Sequence, residues 1–147
     1  MGCKMSFVLE SKLDDALFKL DTDKVKVAIA VVQSGKHWLL GLSSSTDDRL
    51  HKWCFPGGHI NSGESISHAA EREAREETGI RVRVEAKPVI LPSKPHVIFL
   101  HCTASKDASL KPNKEFIALG WFTIRDMKGL KLYPNVLQVI DQMERKR

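Results

Sequence analysis

The stretch that decides the fold runs from Trp53 to Ile80, with the sequence WCFPGGHINSGESISHAAEREAREETGI. The Pro-Gly-Gly at residues 56–58 predicts a tight turn where backbone amides and carbonyls can approach a ligand, because no bulky side chain stands in the way. Ser65 is a suitable N-cap, and Gly79 is a suitable residue to end a helix. The pattern therefore predicts a helix over residues 66–78.

Three glutamates of this helix, Glu73, Glu76 and Glu77, are spaced so that they share one face. Glu64 precedes the helix and is placed to reach the same side. Like charges at these spacings cost a helix roughly a few tenths of a kcal/mol per pair, and a divalent cation would remove that penalty. Mg²⁺ typically binds one or two carboxylates together with water and substrate phosphate. The acidic face is therefore a candidate metal site.

A guanidinium accompanies the acidic face. Arg72 stands directly before Glu73 and four residues before Glu76, where it can orient a carboxylate. A glycine turn, an acidic helix and a guanidinium together suit metal-assisted attack of water on a phosphorus–oxygen bond. A solvated helix face with alternating charges explains the same run without any chemistry. Spacing and charge alone leave both interpretations open.

Strands flank this stretch on both sides. Apolar and alternating patterns predict strands at residues 25–32, 37–42, 80–86, 96–103 and 116–124. Further helices are predicted at residues 6–20 and 135–143, a polar surface loop at 43–52, and a loop or interrupted edge around Pro88, Pro92 and Pro95. This order of elements predicts an α/β fold, an α/β/α sandwich with a mixed β-sheet between helices.

Length and composition agree with one ordinary globular domain. The chain has 147 residues, 42% of them hydrophobic and 28% charged, so we expect a single domain over residues 1–147 with a helical N-terminal extension at 1–22. No apolar run approaches the roughly 20 residues that a membrane span needs. The first residues lack the long apolar segment of a secretory signal.

Cysteine usage and charge indicate a compartment and a partner class. The three cysteines lie far apart without a CxxC pair, which argues against a disulfide framework or a zinc site and predicts a cytoplasmic protein. The net charge of +5 and the pI of about 9.2 favour polyanionic partners, such as nucleotides, nucleic acid or an acidic membrane surface. Charge alone does not choose among these partners.

Seven residues of the decisive stretch coincide with the fixed positions of the Nudix box, G-x5-E-x7-R-E-U-x-E-E-x-G-U, where U is a bulky apolar residue. They are Gly58, Glu64, Arg72, Glu73, Glu76, Glu77 and Gly79. Ala74 and Ile80 fill the two U positions, although Ala74 is small for its place. The chain resembles the Nudix hydrolases, in particular their MutT-like members. The flanking strands and the closing helix extend this resemblance over most of the chain.

The resemblance implies hydrolysis of a nucleoside diphosphate linked to a further group X, with Mg²⁺ or Mn²⁺ as cofactor. It implies that the Gly58 carbonyl and the carboxylates of Glu73, Glu76 and Glu77 bind the cation. It also implies that Glu73 polarises the attacking water while Arg72 holds Glu73 in place. The catalytic set expected from the box therefore contains the arginine and all three helix glutamates.

The resemblance also indicates residues outside that set. Glu64 is expected to stabilise the box loop. Family members often use one more acidic residue from a later loop as metal ligand or base, and Glu115 is the candidate here, with a plain surface glutamate as the alternative. Trp53 and Phe55 are candidates to stack on a base, and His59 is a candidate to touch a phosphate. For the two aromatic residues, packing in the core is the alternative.

The expected substrate is a small nucleotide such as a (d)NTP. ADP-ribose, a nucleotide sugar, a dinucleoside polyphosphate and the 5′ end of an RNA stay open as alternatives. A non-catalytic nucleotide sensor is a further alternative, although such proteins usually lose a box carboxylate, and this chain keeps all of them. Several family members form homodimers, but no unassigned apolar stripe argues for one here, so the oligomeric state stays open.

Overall fold

The computed structural model describes residues 12–145, and its centre is a seven-stranded sheet. The helices are α1 (residues 12–18), α2 (Ile66–Thr78), α3 (Ile124–Met127) and α4 (Val136–Arg145). The strands are β1 (Val27–Ser34), β2 (His37–Ser43), β3 (Trp53–Cys54), β4 (Gly57–His59), β5 (Arg83–Val89), β6 (Val97–Thr103) and β7 (Phe116–Phe122). Residues 1–11, which include the start of the predicted 6–20 helix and half of the predicted extension, lie outside the described residues.

Strand β1 organises the sheet, which has the order β3-β2-β1-β6-β5, with β4 paired to β1 and β7 to β2. Strands β1 and β6 are parallel, with Ile29 opposite Phe99, and the other pairs are antiparallel. Two partners share the second edge of β1, because β4 pairs with Val27–Ile29 and β2 pairs with Gln33 and Ser34. The glycine turn therefore lies beside the first residues of β1.

Two cores lie on opposite faces of the sheet. Because side chains alternate along a strand, Ala28 and Ala30 of β1 belong to a first core and Val31 to a second. Helix α2 covers the first core with Ala69, Ala70 and Ala74, and α4 covers the second with Val136, Val139, Ile140 and Met143. This arrangement confirms the predicted sandwich around a mixed sheet. Ala74 is completely buried, so its small side chain allows α2 to lie close to the sheet.

Helix α2 begins and ends where its local signals predict. The Ser65 side chain accepts a hydrogen bond from the His68 amide, and Gly79 adopts a left-handed conformation with φ of 80°. The Gly79 amide donates to the Arg75 carbonyl. These caps satisfy backbone groups that a helix leaves unpaired at its ends.

The predicted strands differ from the observed ones by up to three residues at their ends, and the strand predicted at 25–32 is β1 at Val27–Ser34; for β5 and β7 the structure shows the reason. The strand predicted at 80–86 is β5 at Arg83–Val89, and it contains Pro88 after a shift of register against β6. Proline is tolerated there because β5 is an edge strand. The strand predicted at 116–124 ends at Phe122, because Thr123 and Asp126 form a capping box that starts α3.

Within residues 12–145, no helix combines the length and apolar character that crossing a bilayer requires.

Candidate active site

The acidic face of α2 lies directly against the glycine turn. A Cβ atom at Gly58 would lie 2.6 Å from Oε1 of Glu73, so any larger residue would displace that carboxylate from its present position. The neighbouring Gly57 amide donates a hydrogen bond of 3.1 Å to Oε1 of Glu77. Gly57 also packs against the backbone of β1, where a Cβ atom would lie 2.8 Å from the Ala28 carbonyl oxygen. Strand β1, the turn and two glutamates are thus in mutual contact.

Glu77 is a buried carboxyl group with a shifted pKa. Only 5% of the Glu77 surface is exposed to solvent. Burial raises the pKa of Glu77 to about 8, the Gly57 amide opposes this shift, and the carboxylates of Glu73 and Glu115 add to it. The pair formed by Glu73 and Glu77 therefore concentrates negative charge that a proton or a cation can neutralise.

Arg72 connects four groups of the box. Its Nε and Nη2 atoms donate to the two carboxylate oxygens of Glu64, at 2.8 and 3.0 Å. Its Nη1 atom donates to Glu73 at 2.8 Å and to Glu76 at 3.2 Å. Nη2 also donates to the His59 carbonyl at 3.0 Å. The guanidinium thereby joins the loop after the glycine turn to the acidic face of α2.

Glu64 is the anchor of that loop. Besides Arg72, its carboxylate accepts a hydrogen bond from the Asn61 amide at 3.0 Å, and it lies 2.8 Å from Nδ1 of His68. The Arg72 guanidinium, the Asn61 amide and His68 together lower the pKa of Glu64 to about 2. The Glu64 carboxylate is therefore held in its charged form, which its ion pair with Arg72 requires.

The donor groups near the turn fit a cation that substrate and water complete. Across residues 12–145, no three His, Cys, Asp or Glu side chains are already grouped so that they could hold a metal ion. The Glu76 side chain is 52% exposed and is turned toward Arg72. Two carboxylates, Glu73 and Glu77, and the adjacent Gly58 provide the remaining oxygen donors. That is the number of protein carboxylates that Mg²⁺ commonly takes beside phosphate and water.

A cavity of about 640 Å³ opens beside this cluster. Its acidic side includes Gly58, His59, Glu73 and Glu115, and its apolar side includes Phe55, Phe99 and Val136. Phe55 is only 7% exposed and packs edge-on against Phe99, with ring centroids 6.4 Å apart. The cavity therefore offers a charged end and an apolar end, in a volume that suits a small ligand.

Trp53 does not contribute to this cavity as the structure describes it. Its ring packs edge-on against Phe122, with centroids 4.9 Å apart. Strand β3 lies at the outer end of the sheet order, so Trp53 meets β7. Phe55 lies just after β3, where the chain returns toward β1, and it forms part of the cavity wall. The alternation of side chains along an extended segment predicts the same orientation for Trp53 and Phe55, so it did not distinguish them.

The cavity also contains residues that sequence reasoning missed. The Tyr133 hydroxyl donates to Asp48 at 3.2 Å, and the Lys94 ammonium lies 4.8 Å from the centre of the Tyr133 ring. Arg49 and Asp47 form an ion pair of 2.9 Å on the same loop as Asp48. This loop, residues 43–52, was predicted only as a polar surface loop. No spacing links its charges to Tyr133, because tertiary folding alone brings them together.

Comparison with known proteins gives one family. A family model described as the NUDIX domain matches residues 22–143. An RNA pyrophosphohydrolase of Bartonella tribocorum is 38% identical over 74 residues, which cover 46% of this chain and 43% of that protein. A Nudix hydrolase of Bacillus subtilis is 30% identical over 100 residues, which cover 62% of this chain and 63% of that protein. The matched regions thus span less than two thirds of these curated relatives.

Solved structures share the fold. A MutT protein of Methanosarcina mazei superposes with a TM-score of 0.66 at 24% identity, covering 83% of this chain and 94% of that one. An Ap4A hydrolase of Caenorhabditis elegans gives the same TM-score of 0.66 at 21% identity, covering 82% of this chain and 97% of that one. At these identities the likeness concerns the fold alone.

Proposed function

This chain belongs to the Nudix family, and we propose that it hydrolyses a pyrophosphate bond in a nucleoside diphosphate linked to a further group, with a small nucleotide such as a (d)NTP as substrate. One observation carries the proposal. The carboxylates of Glu73 and Glu77 meet the glycine turn, and Glu73 and Gly58 line the charged end of a cavity that has an aromatic wall elsewhere. A nucleotide likewise has charged phosphates at one end and an aromatic base at the other.

The phosphates belong at the charged end. A divalent cation, Mg²⁺ or Mn²⁺, held there by Gly58, Glu73, Glu76 and Glu77 would stabilise phosphate charge and make a bound water more acidic. Among these donors, Glu76 reaches the cation only by leaving Arg72, which it contacts at 3.2 Å.

The chain's own residues position the attack. Arg72 donates to Glu73 at 2.8 Å and fixes its carboxylate beside the turn. Glu73 polarises the attacking water and accepts its proton, while the water oxygen bonds to phosphorus and the anhydride oxygen leaves with the second phosphate. Glu115 is the second candidate for this proton transfer, because it lines the same cavity.

The base belongs at the apolar end. Phe55 and Phe99 form an aromatic wall there, Tyr133 packs against the same apolar cluster, and the charged side chains of Asp48 and Lys94 lie beside Tyr133 at the edge of this wall. Aromatic faces accept any base, whereas a carboxylate and an ammonium can select hydrogen-bonding edges. His59 lies on the cavity wall near the phosphate end and is a candidate phosphate contact.

The 5′ end of an RNA is the second candidate substrate. A relative named RNA pyrophosphohydrolase shares 38% identity over 74 residues, and the net charge of +5 favours a polyanion. An RNA 5′ end presents the same phosphate chain, so the same charged end would serve. Binding of RNA would weaken steeply with salt, because each phosphate contact releases counterions.

A hydrolysis screen tests the proposal. The purified chain is incubated with (d)NTPs, ADP-ribose, nucleotide sugars, dinucleoside polyphosphates and 5′-triphosphate RNA, with Mg²⁺ or with EDTA, and the products are identified. We expect cation-dependent cleavage between phosphates, with kcat/KM highest for a mononucleotide. A higher kcat/KM for RNA would select the second candidate. Tight nucleotide binding without turnover would instead indicate a sensor and overturn the proposed activity.

A further inference from the structure

A polar loop, residues 111–115, is docked on the carboxyl end of α2. Helices leave their last carbonyl groups without partners, and donors from elsewhere must satisfy them. The Lys111 amide donates to the Thr78 carbonyl at 2.8 Å, and the Asn113 side-chain Nδ2 donates to the Glu76 carbonyl at 2.7 Å. Gly79 permits this close approach, because a Cβ atom there would lie 2.9 Å from Cβ of Lys111.

The same asparagine also holds Glu115. Oδ1 of Asn113 accepts a hydrogen bond of 2.8 Å from the Glu115 amide. The Glu115 carbonyl in turn accepts a hydrogen bond of 3.0 Å from the Ser44 amide. One side chain therefore connects the helix that carries the box glutamates with the backbone of Glu115.

The position of the Glu115 carboxylate depends on this backbone. Within the described residues, the exposed Glu115 carboxylate forms no hydrogen bond or ion pair of its own, while Glu115 lines the same cavity as Glu73. An exposed side chain without partners stays near the cluster only if its backbone is held there.

We propose that Asn113 is a positioning residue that holds the Glu115 carboxylate beside the glutamates of α2. This inference rests on the proposed function, in which Glu115 acts at the charged end of the cavity. Asn113 is suited to the task because an amide side chain carries both a donor and an acceptor. Alanine at this position loses both hydrogen bonds, whereas the backbone contact between Lys111 and Thr78 remains.

Metal binding tests this inference without any turnover. The dissociation constant of Mn²⁺ is measured by electron paramagnetic resonance for the full chain, Asn113→Ala, Glu115→Gln and the double variant. We expect about fivefold weaker Mn²⁺ binding for each single variant, a change of about 1 kcal/mol, because either change takes the Glu115 charge away from the cation. The double variant should bind no more weakly than Glu115→Gln. Unchanged binding by Asn113→Ala, or multiplied losses in the double variant, would overturn the inference.

Kinetics on the best substrate of the screen provide the second test. We expect Asn113→Ala to lower kcat about tenfold with KM changed less than about twofold, because a misplaced carboxylate affects the reacting state more than binding. In the Glu115→Gln background, Asn113→Ala should have no further effect on kcat. If Asn113→Ala lowers kcat by the same factor in the unchanged chain and in the Glu115→Gln variant, its role is generally structural, and positioning through Glu115 is contradicted.

A matched control separates these effects from stability. Gln138→Ala also removes an exposed side-chain amide, but on α4 and outside the cavity lining, and should change neither Mn²⁺ binding nor kcat. Melting temperatures show whether Asn113→Ala remains folded at the assay temperature. If the full chain cleaves no nucleotide in the screen, the proposed function fails, and the Mn²⁺ comparison still decides the role of Asn113.

Discussion

Arg72 and Glu64 form a two-pronged ion pair, in which Nε lies 2.8 Å from Oε2 and Nη2 lies 3.0 Å from Oε1. The planar fork of a guanidinium matches both carboxylate oxygens at once, which an ammonium group cannot do. The same arginine also donates to Glu73. The ion pair therefore fixes the loop after the glycine turn and orients the proposed water-polarising carboxylate.

Replacing this arginine by lysine should impair turnover while preserving the charge. For Arg72→Lys we expect kcat to fall about 100-fold, because a misplaced reacting group can cost that much. Steady-state kinetics with the best substrate provide the measurement. Arg75→Lys is the matched control, since Arg75 is an exposed arginine on the same helix. A kcat within about threefold of the unchanged protein would refute the orienting role of Arg72.

Acid should remove the stabilising contribution of Glu64. The pKa of Glu64 is lowered from 4.5 to about 2 in the folded chain, chiefly by Arg72. A lowered pKa stabilises the fold fully above the unfolded value and loses that effect as the pH falls toward the folded value. The melting temperatures of the unchanged chain and Glu64→Gln should therefore differ most above pH 5 and converge toward pH 2. A difference that stays constant over this range would contradict the assignment.

A methyl group at the glycine turn should displace the proposed water-polarising side chain of Glu73. Gly58→Ala would place Cβ 2.6 Å from Oε1 of Glu73, whereas the same change at Gly129 meets nothing closer than 3.8 Å. We expect Gly58→Ala to lose turnover about 100-fold and Gly129→Ala to keep it. Circular dichroism should show both variants folded. Equal activity of the two variants would mean that close contact between Gly58 and Glu73 is unnecessary.

The apolar end of the cavity should act through binding. Tyr133→Ala removes a ring that lines the cavity, and stacking on a base contributes about 1–3 kcal/mol. We expect KM for a small nucleotide to rise about tenfold with little change in kcat. Tyr133→Phe keeps the ring and loses only the hydrogen bond to Asp48, so its KM should rise less. A fall in kcat at unchanged KM would place this residue outside the base site.

Local signals were sufficient for the box helix. Ser65 and Gly79 cap α2 through contacts within one turn of the chain, so the predicted bounds of residues 66–78 agree with Ile66–Thr78. The start of β5 was predicted too early, because pairing with β6 from Arg83 onward determines where that strand begins. Because β6 is distant in sequence, its pairing with β5 leaves no signal in the residues around the start of β5.

The cavity was less predictable than the helix. Tyr133 contacts Asp48 across 85 residues of sequence, and neither residue belongs to a pattern with fixed spacing. Glu115 was a candidate only through the family resemblance. Its approach to α2 depends on two hydrogen bonds of Asn113, a residue that the sequence reasoning did not single out.

The most direct test of the central claim is the Mg²⁺ dependence of turnover by Glu77→Gln with the best substrate. Glutamine keeps an oxygen that accepts the Gly57 hydrogen bond but cannot ionise to bind a cation, so the fold should persist while the proposed metal ligand is lost. We predict that kcat/KM falls at least about 100-fold and that added Mg²⁺ does not restore it. Turnover within about threefold of the unchanged chain, with the same Mg²⁺ dependence, would show that hydrolysis does not use this carboxylate cluster.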